Sequence, residues 1–160
     1  MIPLLLESLK KKLTEGLREM ALVHHSKDGD KTGPPYVWVG DLPPKRDPKD
    51  FSGLPCVLLV PLASYIDNGM GEVDIALICV IYNPEKGDAM GAECDLANVL
   101  SRVRGLLIDA LESKGRPLDG RFVLVPDQHG NVLAWQKSDQ QTRPFIQATM
   151  SSVWQYKDLE

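Results

Sequence analysis

The sequence has no apolar run approaching the roughly 18 residues of a membrane-spanning helix. Its amino-terminal run, Ile2-Pro3-Leu4-Leu5-Leu6, precedes Glu7 and the lysines at 10 to 12, the reverse of the order in a secretory leader. The expectation is therefore a soluble, cytoplasmic chain. Cysteine is scarce: Cys56, Cys79 and Cys94 are an odd set without C-x-x-C spacing and are read as reduced, small core residues. A reactive thiolate at Cys94 is disfavoured by its neighbours Glu93 and Asp95. Neither sign of charge is in large excess. Eighteen Lys and Arg against 22 Asp and Glu leave a net charge of -4, which argues against a protein whose main business is gripping nucleic acid or an anionic membrane. The usual catalytic signatures are also missing: there is no Gly-x-Ser-x-Gly, phosphate-cradling Gly-rich loop, His-Glu-x-x-His or dinucleotide fingerprint.

What is present is an ordered succession of helix and strand patterns. Leu6, Leu9, Leu13, Leu17 and Met20 recur at steps of three and four, which predicts a helix over Pro3–Met20 with Lys10, Lys11, Lys12 and Glu15 on its solvated face. A short strand follows over Ala21–His25, then turn-rich residues to Pro35 and a strand Tyr36–Val39. Residues 41–53, with Pro43, Pro44 and Pro48 among charges, read as an extended loop. Cys56–Ala63 and Glu72–Tyr82 read as long strands around the turn Asp67–Gly71. The second is apolar on both faces from Ile75, so it is either central in its sheet or covered by another subunit. A helix over Ala92–Ser113 carries the stripe Leu96, Val99, Leu100, Val103, Leu107 and Leu111 and stops at Gly115 and Pro117. A hairpin of Arg121–Pro126 and Asn131–Lys137 and a final alternating strand Pro144–Tyr156 complete the pattern. Together these predict a single α+β domain over 1–160. Its sheet is expected to be mixed but mostly antiparallel, with two main helices packed on one face.

Candidate chemistry is sparse. His24 and His25 are adjacent, so on a strand they point to opposite faces and cannot share a metal. Asp28-Gly29-Asp30 resembles the start of a calcium loop, but its glycine is misplaced. Glu72 and Asp74 share a strand face near Asp67, the minimum for cooperating carboxylates, with no nucleophile or base partner nearby in sequence. His129 reads as a turn residue. Trp38, Trp135 and Trp154 fall in strands and read as core or interface anchors.

The second half resembles the tail terminator, or tail completion, proteins of long-tailed bacteriophages and prophages. The likeness lies in the strand Glu72–Tyr82, the acidic-Pro-Gly linker after it, and the helix spacing of Leu96-Ala-Asn-Val-Leu-Ser-Arg-Val-Arg-Gly-Leu-Leu107. It continues through Leu118-Asp-Gly-Arg-Phe122, the hairpin containing Trp135, and the closing strand Arg143–Trp154. It spans roughly Glu72 to Tyr156 and consists of element order and hydrophobic spacing.

The resemblance implies a small α/β sandwich that assembles as a hexameric ring on the end of the tail tube, stops its polymerisation and presents the head-attachment surface. It implies a virion protein assembled in the bacterial cytoplasm, with tail tube protein, head–tail connector and further copies of itself as partners. DNA would only pass through the lumen, which the modest acidity of the chain would suit. No enzyme activity, metal, cofactor or catalytic residue is implied. A ring needs two different patches on each subunit. The expected contacts are the 41–53 loop, with Lys45, Arg46 and Asp47, and the Asp67–Gly71 turn, with Asp67, Asn68, Met70 and Glu72. Another head–tail joining or minor tail protein is the nearest alternative; a ligand-binding or enzymatic domain using the acidic turn at 67–74 is a more distant one.

Overall fold

The computed structural model describes residues 1–26, 28–42, 53–84, 89–139 and 144–157. Lys45, Arg46 and Asp47, and most of the 41–53 loop, lie outside the described residues.

The first helix, α1, spans Ile2–Gly16 with Pro3 in its opening turn, where a missing N–H leaves no hydrogen bond unmade. Its buried stripe is Leu5, Leu9, Leu13 and Leu17, a run of i, i+4 steps. Leu6, expected on that stripe, is only half-buried. The helix also stops short of the expected Met20. At Gly16 the side chain of Leu106 lies where a Cβ would stand, and Arg102 Nε donates to the Gly16 carbonyl at 3.2 Å, satisfying one of the end carbonyls of the helix. A close crossing with the second helix therefore marks the end of α1.

Two short strands, β1 (Leu22–His24) and β2 (Lys31–Gly33), form a separate antiparallel pair. β2 falls within the segment expected to be turn alone. The main sheet begins with β3 (Tyr36–Val39), which pairs in parallel with β4 (Cys56–Asp67). β4 runs antiparallel to β5 (Met70–Tyr82), with a bulge at Pro61/Ala63. β5 then pairs along its whole length with β8 (Phe145–Lys157). The strand order is β3-β4-β5-β8-β6, with β6 (Val123–Val125) and β7 (Trp135–Lys137) both on β8. The fold is thus α+β with a mixed, mostly antiparallel sheet.

The expected hairpin of 121–126 and 131–137 does not form. β6 pairs with Val153–Gln155 and β7 with Ala148–Met150, end to end along the same strand. Residues 126–134 leave the sheet between them, and Ser151 N donates to Ala134 O at 2.8 Å where the chain returns. The excursion is anchored by the side chain of Leu133, which is buried in the core, and by Arg104 Nη2, which donates to the Leu133 carbonyl at 2.8 Å. A buried leucine in mid-turn holds the two segments on the β8 ladder.

The second helix, α2, spans Ala89–Leu107. The expected continuation to Ser113 breaks into 3-10 turns because Leu111 adopts extended geometry (φ -58°, ψ 143°) and bridges in parallel to Leu124 on β6. The buried faces of both helices join alternate residues of β5 (Val73, Ile75, Leu77, Cys79 and Ile81) in one core cluster with β4 and β8. Burying each such side chain contributes about 1.5–3 kcal/mol. A smaller cluster of Leu54, Cys56 and Val80, with Trp38, Leu58 and Phe145 against it, covers the other side of β5. β5 is therefore buried by its own chain as a central strand.

Trp154 is fully buried in the main cluster. Its indole Nε1 donates to Ser152 Oγ at 2.8 Å, and that hydroxyl donates to the Ile75 carbonyl at 2.8 Å. A large ring can therefore enter the core without an unmade hydrogen bond. Of the other tryptophans, Trp38 is half-buried with its Nε1 donating to Gly53 O at 2.9 Å, and Trp135 stays exposed.

Candidate functional site

The turn expected at Asp67–Gly71 is the tip of a projecting arm. Asn68 and Gly69 both have positive φ, 52° and 76°, and Asp67 pairs directly with Met70. This is a two-residue type I′ connection, for which Asn-Gly is the favoured dipeptide. That dipeptide could have told the reader that β4 runs on to Asp67 instead of stopping at Ala63. From Leu62 outward the strand is exposed on both faces. Leu62 is 67 % exposed, Tyr65 59 %, Ile66 60 % and Met70 40 %.

The arm is anchored on one side only. At Gly71, next to the turn, the ring of Tyr156 occupies the space a Cβ would take, so glycine lets β8 close tightly beside the tip of the arm. On the other side β3 accompanies β4 only through Cys56–Leu59, and Gly40 N makes a last bond to Leu59 O at 2.8 Å. Among the described residues, the outer edge of β4 from Val60 to Asp67 has no partner strand. Pro61 and the bulge beside it interrupt the inner end of this edge, and from Ala63 to Asp67 it carries no lysine.

Asp67, Asn68, Met70 and Glu72 are thus brought together on one arm. Their charges are all of one sign, since the chain carries no Lys or Arg between Gly53 and Pro84. Glu72 and Asp74 share a face, as alternation requires, and Glu72 is braced by Gln155 Nε2, which donates to its Oε2 at 3.0 Å. Tyr65 stands directly across the ladder from Glu72. Interaction with the Glu72 carboxylate, then desolvation and the charges of Asp74 and Asp67, raises the phenol pKa above its ordinary value.

Two concavities flank the arm. One is a groove of about 570 Å³ lined by Leu62, Tyr65, Glu72, Asp74 and the 126–129 turn. Asp127 Oδ1 fixes that turn by accepting from the backbone N–H groups of His129 and Asn131 at 2.8 and 2.9 Å, which makes His129 a wall of the groove. The other is a more apolar hollow of about 630 Å³ beside the β8 and β6 ends, lined by Met70, Pro117, Val123 and Tyr156 and edged by Arg121 and Lys157. Sequence reasoning missed both, because each is lined by segments that are remote from one another in the chain.

The remaining candidates sit elsewhere. His24 Nε2 lies 2.8 Å from the Pro34 carbonyl oxygen and its ring packs edge-on to Tyr36. His25 meets Tyr82 and, at 3.7 Å, Asp30. The two histidines diverge as alternation dictates. Among the described residues no group of three or more His, Cys, Asp or Glu could hold a metal ion, and no helix is long and apolar enough to cross a membrane. Cys56 and Cys79 are buried, and burial pushes both thiols up to about 12; Cys94 is exposed. No known protein family matches the sequence, and neither does any curated protein.

Proposed function

We propose that the protein is a ring-forming structural subunit of a phage or prophage tail, which caps the tail tube, stops its polymerisation and offers the surface to which the head attaches. The observation that carries this reading is the arm formed by β4 and β5. It displays four large apolar side chains and a strand edge that no other strand among the described residues accompanies, a surface that suits burial against another protein. The α+β fold agrees with the architecture implied by the resemblance over Glu72–Tyr156, and the acids on the arm suit a partner surface that carries positive charge. The proposed partners are further copies of this chain, the tail tube protein and the head–tail connector.

Removing the protein from an assembling phage and imaging the products tests the reading. Overlong, headless tails are the expected result. Tails of normal length that lack only heads would assign the protein to head–tail joining instead, and normal virions would overturn both.

A further inference from the structure

Head-to-tail association needs two unlike patches that face opposite ways on one subunit. The strand order β3-β4-β5-β8-β6 supplies that arrangement around the arm: the open β4 edge lies on one flank, and the hollow beside β8 and β6 lies on the other. The two are complementary in chemistry. The edge presents Leu62, Tyr65 and Ile66 and ends in Asp67. Among the described residues the hollow presents Met70, Pro117 and Val123, with Arg121 and Lys157 at its rim and Glu112 beside them. Apolar groups would meet apolar groups, and the Asp67 carboxylate would reach a cationic rim.

A two-fold pairing of β4 with β4 lacks this match, since the arm has acids and no base to answer them. We infer that the outer edge of β4, Val60–Asp67, docks into the hollow beside Arg121 and Lys157 of a second copy of this chain. Each copy then gives its edge to one neighbour and its hollow to the other, so the contact propagates and closes into a ring when the rotation allows. This deepens the ring-subunit reading by naming the contact on which it rests.

Sedimentation velocity of the full chain over a range of concentrations tests the contact, with the variants Asp67→Lys, Arg121→Glu and the two combined. All the substituted side chains are exposed, and circular dichroism checks that each variant keeps its fold. The wild type should assemble beyond dimers, each single substitution should weaken association about tenfold, and the combined variant should recover it. A wild type that stays monomeric up to about 1 mM, a closed dimer indifferent to Arg121→Glu, or a combined variant no better than the singles would overturn the proposal. Failure of tail capping is distinguishable: normal tails in the absence of the protein remove the tail role and leave a charge-swap rescue of association untouched.

Discussion

β4 and β5 form one continuous ladder, yet its two halves are opposite in character. At the base, from Cys56 to Leu59 and from Ile75 to Tyr82, almost every side chain is buried. One face belongs to the core cluster that contains buried residues of both helices, and the other meets the Trp38 and Phe145 cluster. On the arm, from Leu62 to Met70, the backbone pairing resumes beyond the Pro61/Ala63 bulge with its register shifted, and the side chains stand in solvent. Strand pairing is thus common to both halves, and what separates stability from availability is the cover. The base holds the domain together, and among the described residues no strand accompanies the outer edge of the arm.

The comparison is broken most strongly at high pH. The Cys56 and Cys79 thiols belong to the base and are pushed up to about 12 from an ordinary 9.0. A thiol whose pKa is raised in the folded state keeps its proton there while the unfolded chain ionises, so stability is full below pH 9 and is lost as pH rises toward 12. The expected loss is on the order of 4 kcal/mol per thiol at the upper limit. Urea unfolding across that range should reveal it, and changing both residues to alanine should flatten the slope. An unchanged slope would mean that other groups dominate alkaline unfolding.

Next in size, Leu77→Ala removes a fully buried side chain from the base and should cost about 3 kcal/mol in urea unfolding. A loss below about 1 kcal/mol would mean that the core closes over the gap. Gly71→Ala lies on the arm beside the turn, with the Tyr156 ring of β8 across it. It should cost about 1–3 kcal/mol through forced displacement of that ring, read as a lowered melting temperature. Leu62→Ser with Ile66→Ser lies wholly on the arm and should shift stability by only about 0.5 kcal/mol while impairing self-association in sedimentation. A large stability loss there would show that the arm belongs to the folding core after all.

Much of the base was legible from residue pattern. The doubly apolar run Ile75–Tyr82 announced a strand covered on both faces, either central or against another subunit, and the structure chose the first; the leucine spacing of α2 announced its buried stripe, because burial on a known period leaves a mark in the sequence. The limits of α1 and α2 were not legible. One is set by the approach of Leu106 to Gly16, and the other by the pairing of Leu111 with Leu124; both depend on partners remote in the chain. The false hairpin of β6 and β7 arose for the same reason, since two short strands near a turn look identical whether they pair with each other or with a third. Of the site, the acids and the turn were visible. The open edge beside them was not, since an edge is defined by which strand fails to accompany it.

The sequence by itself determined the α+β class, the buried periodicity of the helices, the turn at Asn68-Gly69 and the all-acid character of the arm, because composition, local φ preference and hydrophobic period are properties of neighbouring residues. Only the tertiary structure decided that β3 leaves β4 after Leu59, that β8 closes over Gly71, and that Arg121, Val123 and Lys157 gather in a hollow on the opposite flank. Those outcomes depend on non-local strand order and packing. No local pattern encodes them.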